Sequence, residues 1–260
     1  MQVVLFIISM VSIGFFLFAV MKKKVPLKQP SIENEKKILS QHVLFYQKLK
    51  DEEKSRFEAA LQKFLTTVKI TGVNATVEDI DRVFVAAAAI IPIFAFKDWE
   101  YRYIHEVLLY PDSFNNEYML KGPGRNTLGM VGNGPMQYVM ILSQHDLRNG
   151  FLNQSDKLNT GIHEFVHLVD KEDGYTDGLP ESLIAHEYAL PWLKRIHQEI
   201  QQIKKGKSDI DPYGATNEAE FFAVAAEYFF EQPHLMQQKH PQLFDMLKQI
   251  FTPGTATSSK

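Results

Sequence analysis

The five residues His163-Glu164-Phe165-Val166-His167 constrain this chain more than any other segment of it. Such a run has a use only as a helix, because positions i and i+4 then share one face and both imidazoles reach a single metal ion. Glu164 projects beside them, placed to take a proton without ligating the metal, while Phe165 and Val166 turn into a core. Residues 158–170 around it read as that helix. With 9 histidines in 260 residues, random placement yields the pattern with a probability of about 0.02, so chance is a poor explanation. A catalytic zinc takes three protein ligands and leaves its fourth position to water, so the fold must also deliver a third donor. The chain has no cysteine. That donor is therefore a histidine or a carboxylate, and disulfides, iron–sulfur clusters and cysteine nucleophiles are excluded with it.

Four residues compete for the third position. Asp173 stands where the H-E-x-x-H-x-x-G-x-x-H class puts its last ligand, but Asp170 occupies the required glycine. Glu187 has the offset of thermolysin-like enzymes, yet Pro191 follows within a turn. Glu220 and Glu227 lie on an amphipathic helix expected over 217–231, and a carboxylate from a neighbouring helix can complete such a set. Asp170 falls on the face of the two histidines, where it serves either to orient an imidazole from behind or to end the helix. His105, His145, His186 and His197 lack ligand spacing and read as structural or solvated. Trp192, Phe221, Phe222, Phe229 and Phe230 read as core.

The first 21 residues carry no charge. Residues 3–21 are a nearly unbroken apolar run, roughly 28 Å long as a helix against the ~30 Å core of a bilayer. No basic n-region or small-x-small cleavage site marks a signal peptide. Lys22, Lys23 and Lys24 follow directly, which predicts one membrane anchor with the rest of the chain on the cytoplasmic side. A net charge of -3 argues against a direct nucleic-acid binder, whose phosphate contacts need a basic face. Pro26 and Pro30 mark a linker. Residues 31–67 read as two amphipathic helices with a polar turn at Asp51 to Lys54, and a further helix starts near Val77 and is interrupted at Pro92. Residues 106–110 and 137–143 read as strands. Between them runs a glycine-rich loop, 112–135, with the length of a substrate-side flap or of a solvated connection.

The stretch from Tyr213 to Ala223, YGATNEAEFFA, resembles the third-ligand helix of the anthrax lethal factor catalytic domain. It also resembles the Mlc titration factor A (MtfA) family of peptidases, a likeness extended by HEFVHLVD at 163–170, DGLP at 177–180, FEQP at 230–233 with Pro241, and Tyr110-Pro111 with Phe114. It covers most of 40–250. The resemblance implies an α+β, mainly helical, zincin-like metallopeptidase domain with a small sheet, here preceded by one transmembrane helix. The expected division is anchor and basic flank at 1–24, linker and start of the first helix at 25–38, peptidase domain at 39–250 (helical to 100, catalytic from 101), and a flexible tail at 251–260. It makes His163, His167 and Glu220 the ligands of one zinc ion per chain and Glu164 the general base. Tyr213 matches the tyrosine whose hydroxyl approaches the substrate carbonyl, with Asp170 and Glu227 behind the ligands.

The implied activity is hydrolysis of a peptide or protein substrate lying extended along 137–143, taken as an edge strand. The implied alternative is a binding protein that sequesters a sugar-responsive transcriptional repressor. Two departures stand out: the apolar 3–21 segment is absent from the soluble enterobacterial members, and Gln144 stands where a tryptophan is expected. The anchor predicts a single-pass protein of the bacterial inner membrane with its catalytic part in the cytoplasm.

Overall fold

A computed structural model of the chain describes residues 30–115, 127–132, 137–153 and 156–252. The expected anchor at 3–21, its lysine flank, most of the linker, much of the glycine-rich loop and residues 253–260 lie outside the described residues. Among those described, no helix is long and apolar enough to cross a membrane.

The architecture is α+β, mainly helical, with one small mixed sheet. Three short helices lead in: α1 (Ile32–His42), α2 (Leu44–Gln47) and α3 (Asp51–Thr67). Asp51 to Lys54 is not the turn expected of it but the opening of α3. Asp51, Glu52 and Glu53 occupy the first turn, where carboxylates are favoured by the positive end of the helix dipole. The strand β1 (Lys69–Gly72) follows, then α4 (Asp79–Ile93). Every residue of α4 from Val83 to Ile93 is buried, which accounts for the run of alanines: neighbouring helices approach on all sides. Pro92 falls in its last turn and ends the helix instead of breaking it.

Strand β2 (Glu106–Tyr110) matches its expected span; β3 (Gly129–Val131) and β4 (Val139–Ser143) complete a sheet of order β1-β2-β4-β3. The first three strands are parallel and β3 is antiparallel. This order corrects the sequence reading of 137–143 as the edge. Residues Met140 to Ser143 are all buried, as suits a strand paired on both sides, and among the described residues the edge strands are β1 and β3. The polar stretch His145 to Gly150 after the strand lies in helix α5 (Gln144–Leu152), capped by the Ser143 hydroxyl on the Asp146 N–H at 3.2 Å.

Helix α6 (Thr160–Asp170) carries the His-Glu-Phe-Val-His run and packs between α4, the β3 strand and α8 (Glu218–Glu231). A short 3-10 turn (Lys171–Asp173), helix α7 (His186–Lys204) and a second 3-10 turn (Pro212–Ala215) connect α6 to α8. Helices α9 (Pro233–Lys239) and α10 (Pro241–Phe251) close over α8. Phe251, expected at the start of the tail, is 2% exposed and stacks on Phe222. It belongs to the core.

Candidate metal centre

Asn159 starts the central helix: its side-chain oxygen accepts the Ile162 N–H at 3.0 Å. Nine of the eleven residues of α6 are buried, so the helix is held on every face but the one carrying the histidines. Helix α8 meets it with Asn217 as its cap, accepting the Glu220 N–H at 2.9 Å. The cap puts Glu220 in the first turn, pointing at α6.

His163 Nε2 lies 3.0 Å from Glu220 Oε2, His167 Nε2 lies 3.3 Å from the same oxygen, and the two Nε2 atoms are 3.2 Å apart. A tetrahedral cation with bonds of about 2.0–2.1 Å needs its ligand atoms about 3.3 Å apart, and these three edges match it. The set is the one group of three or more potential metal-binding side chains among the described residues. The competing candidates stand elsewhere. Asp173 accepts the Tyr175 and Glu181 N–H groups, and Glu187 is exposed in the first turn of α7.

Glu227 stands outside this triangle, behind one of its members. Its Oε1 sits 2.7 Å from His163 Nδ1, turning Nε2 towards the centre, and its Oε2 accepts the Asn159 N–H at 2.5 Å. Asn159 Nδ2 donates in turn to Glu231 Oε1 at 3.0 Å. Glu220, Glu227 and Glu231 are seven and four residues apart along α8, a spacing that puts them on one face. That spacing is the signal by which Glu231, given no role at the site in the sequence reading, is recoverable.

Electrostatics follow the geometry. Burial works to lower the His163 imidazole, but the Glu227 and Glu220 carboxylates outweigh it and hold its pKa well above the usual value. Burial likewise pushes Glu220 up, and the bonds to His163 and His167 overcome it, holding the carboxylate far below its ordinary range. Glu164 is 6% exposed and is raised by burial, against the pull of the two histidines. Burial takes Asp170 to about 7. Its Oδ2 accepts the Gly178 N–H at 2.8 Å and its Oδ1 has no hydrogen-bond partner, nor has His167 Nδ1. Asp170 thus holds the following loop. Gly178, at φ +80°, presses so close to α8 that a Cβ would lie 2.4 Å from the Glu218 carbonyl oxygen.

Tyr213 stands on the second 3-10 turn, where Asp211 accepts its N–H at 2.8 Å. Its ring is 6.0 Å from the His163 ring and 54% exposed. The turn is tied down by Asp209, which takes hydrogen bonds from Lys157, Tyr228, Lys239 and His240. Across the centre, β3 forms the opposite wall. A Cβ on Gly129 would lie 2.5 Å from Glu164 Cγ and 2.6 Å from its Oε1, so only glycine leaves this carboxylate its place. The cleft between β3 and the Tyr213 turn encloses about 620 Å³, with the two histidines and Glu164 on its floor and Lys171 and Asp177 at its rim.

A family model described as glucose-regulated metallo-peptidase M90 matches residues 18–252. An uncharacterized Synechocystis protein, slr2042, is 28% identical over 241 residues, covering 88% of this chain and 87% of its own length. The Mlc titration factor A of Escherichia fergusonii is 27% identical over 220 residues, 78% of this chain and 80% of that one. The protein of the same name from Edwardsiella ictaluri is 30% identical over 176 residues, 59% and 65% of the two.

Proposed function

The chain belongs to the glucose-regulated metallo-peptidase M90 family, and from that membership we propose that it is a zinc-dependent peptidase with His163, His167 and Glu220 as ligands and Glu164 as general base. The triangle of donor atoms at 3.0–3.3 Å carries this reading. Zinc, when bound, supplies a Lewis acid that brings the pKa of a water towards 7 and polarises a carbonyl. Two imidazoles and one carboxylate with no thiolate suit that role.

The remaining steps belong to the chain. Glu164 takes the proton of the attacking water. Its buried surroundings favour the protonated form, so it holds that proton long enough to pass it to the leaving amine. Tyr213, on the far side of the cleft, offers its hydroxyl to the carbonyl oxygen as negative charge grows there. Glu227 keeps the His163 ring in register, as a carboxylate behind a ligating histidine does. Among the described residues the outer edge of β3 is unpaired and β3 lines the cleft, so an extended peptide adds to it by main-chain hydrogen bonds. The acceptor strand is then Gly129 to Val131.

Two further elements complete the proposal. Residues 3–21 anchor the protein in the bacterial inner membrane by a single span, and Lys22, Lys23 and Lys24 keep the peptidase on the cytoplasmic side. A second reading rests on the name shared by several relatives, Mlc titration factor A: the chain binds a transcriptional repressor, and hydrolysis is secondary. The intact Glu164 favours the peptidase, since a pure binder has no use for a base beside its metal.

The test is zinc analysis and turnover of a peptide library by the full chain, wild type against Glu164→Gln. One zinc per chain in both, with hydrolysis reduced about 10²–10⁴-fold in the variant, supports the peptidase. Zinc without turnover moves the weight to the repressor binder, and absence of zinc removes the centre itself.

A further inference from the structure

A second cavity lies on the other side of α6, sharing no residue with the metal cleft. It encloses about 430 Å³ between α3, the C-terminal end of α4 and the irregular segment 94–105. That is the size of small-molecule sites. Its walls are aromatic: Phe64, Phe94, Phe96, Trp99 and Tyr101 all line it. The innermost of them, Phe64 and Tyr101, pack at 5.7 and 5.3 Å on Phe165, which stands between Glu164 and His167.

Three observations give the occupant its chemistry. Arg56 and Lys97 both line the cavity, and neither has a carboxylate partner among the described residues. The Arg56 guanidinium lies 4.0 Å over the Phe94 ring instead, and a cation desolvated against an aromatic face keeps its donors for an incoming anion. The third cation, Lys63, is already neutralised by Glu100, so the net charge at the rim is positive. Among the described residues the buried Trp99 indole N–H has no acceptor, a deficit that an oxygen entering the cavity would remove. Apolar walls with surplus positive charge at the mouth fit a molecule that is apolar at one end and anionic at the other.

We propose that this cavity is a ligand site for a small hydrophobic carboxylate, with its aryl or alkyl body among Phe64, Phe94 and Trp99 and its carboxylate on Arg56 and Lys97. The site is independent of the metal centre in its residues, and Phe64 and Tyr101 separate it from Phe165 of the helix that carries the histidines. Nothing in its chemistry requires the peptidase reading.

The experiment is calorimetric titration of the full chain, in phosphatidylcholine nanodiscs with empty discs as blank, using 4-phenylbutyrate and its neutral isostere 4-phenylbutyramide. Saturable binding of one carboxylate per chain is expected, with the amide about tenfold weaker, as loss of one charge-assisted contact implies. Arg56→Gln, at a half-buried position, and Lys97→Gln, at an exposed one, should each weaken the carboxylate severalfold and leave the amide unchanged. Ala60→Trp, which fills the cavity, should abolish both. Equal affinity for acid and amide, no saturable heat, or binding that survives all three variants overturns the proposal. Retained circular dichroism and melting profiles distinguish a blocked site from a misfolded chain.

Discussion

Gly129→Ala adds one methyl group to the edge strand and aims it at the carboxylate of Glu164, the proposed general base. The new Cβ would stand 2.5 Å from Glu164 Cγ, 2.6 Å from Oε1 and 2.8 Å from Cδ. Carbon atoms in contact sit about 3.5 Å apart or more, so Glu164 and β3 must part by about 1 Å. Gly129 does not have a positive φ. Alanine is therefore acceptable to the backbone, and the whole effect comes from the collision. A displacement of 1 Å in a reacting group costs about a hundredfold in rate, or about 2.7 kcal/mol in activation free energy. The three metal donors are not touched by the new methyl. The expected outcome is a fall of about 10² in kcat/KM on a peptide substrate, with zinc stoichiometry by mass spectrometry and the melting temperature close to wild type. A variant with full zinc and undiminished kcat/KM would refute the reasoning, because Glu164 would then work from a position that the methyl group occupies. Loss of zinc would refute it differently, by showing that β3 positions the ligands and not the base.

Two other perturbations probe the shell behind the ligands. Glu227→Gln keeps the shape but removes the charge facing His163 Nδ1; zinc affinity should fall 10–100-fold in competition with a chelating dye, and unchanged affinity would mean that Glu227 does not orient the imidazole. Glu231 is raised to about 7, mainly by burial, above the roughly 4.3 of an unfolded chain. A carboxyl raised on folding contributes its stability in full below the unfolded value and loses it as pH climbs through the folded one. Glu231→Gln, which retains an oxygen for Asn159, should therefore raise the melting temperature at pH 8 more than at pH 5, and an equal shift at both would show that Glu231 ionises without penalty.

The parts of this molecule visible in its sequence are those written in local spacing. The histidine pair repeats at one helical turn, the cap-and-helix pattern of Asn217 to Glu231 is continuous, and β2 is a five-residue strand with four apolar residues in a row, ended by Pro111. What depends on partners distant in the chain was not visible. Strand order is such a property: nothing within 137–143 says that Gly129 to Val131 will pair outside it, and three residues that include a glycine are too short to announce a strand. β1 went unread for the same reason, with Ile70 its single buried side chain. Helix α5 was hidden because its apolar positions, Leu147 and Phe151, make only one helical repeat among polar residues. In the metal centre, residue types alone left four carboxylates in contention. The likeness to known peptidases favoured Glu220 over Glu227, and the fold supplies the physical difference between them: one faces the Nε2 atoms and the other faces Nδ1.

The helix carrying both histidines is also one of the most deeply enclosed in the molecule, with Phe165, Val166 and Val169 fully buried between α4 and α8. In small zinc-dependent folds the ion is the keystone, and withdrawing it collapses the chain. Here the keystone is hydrocarbon. Because apolar side chains pack α6 between α4 and α8, a chelator is expected to yield an idle protein and not an unfolded one. Under the proposed function, metal supply governs how many copies are working, while synthesis and proteolysis govern how many exist. The ion can be taken away and returned to the same molecule, as a removable part of a finished machine.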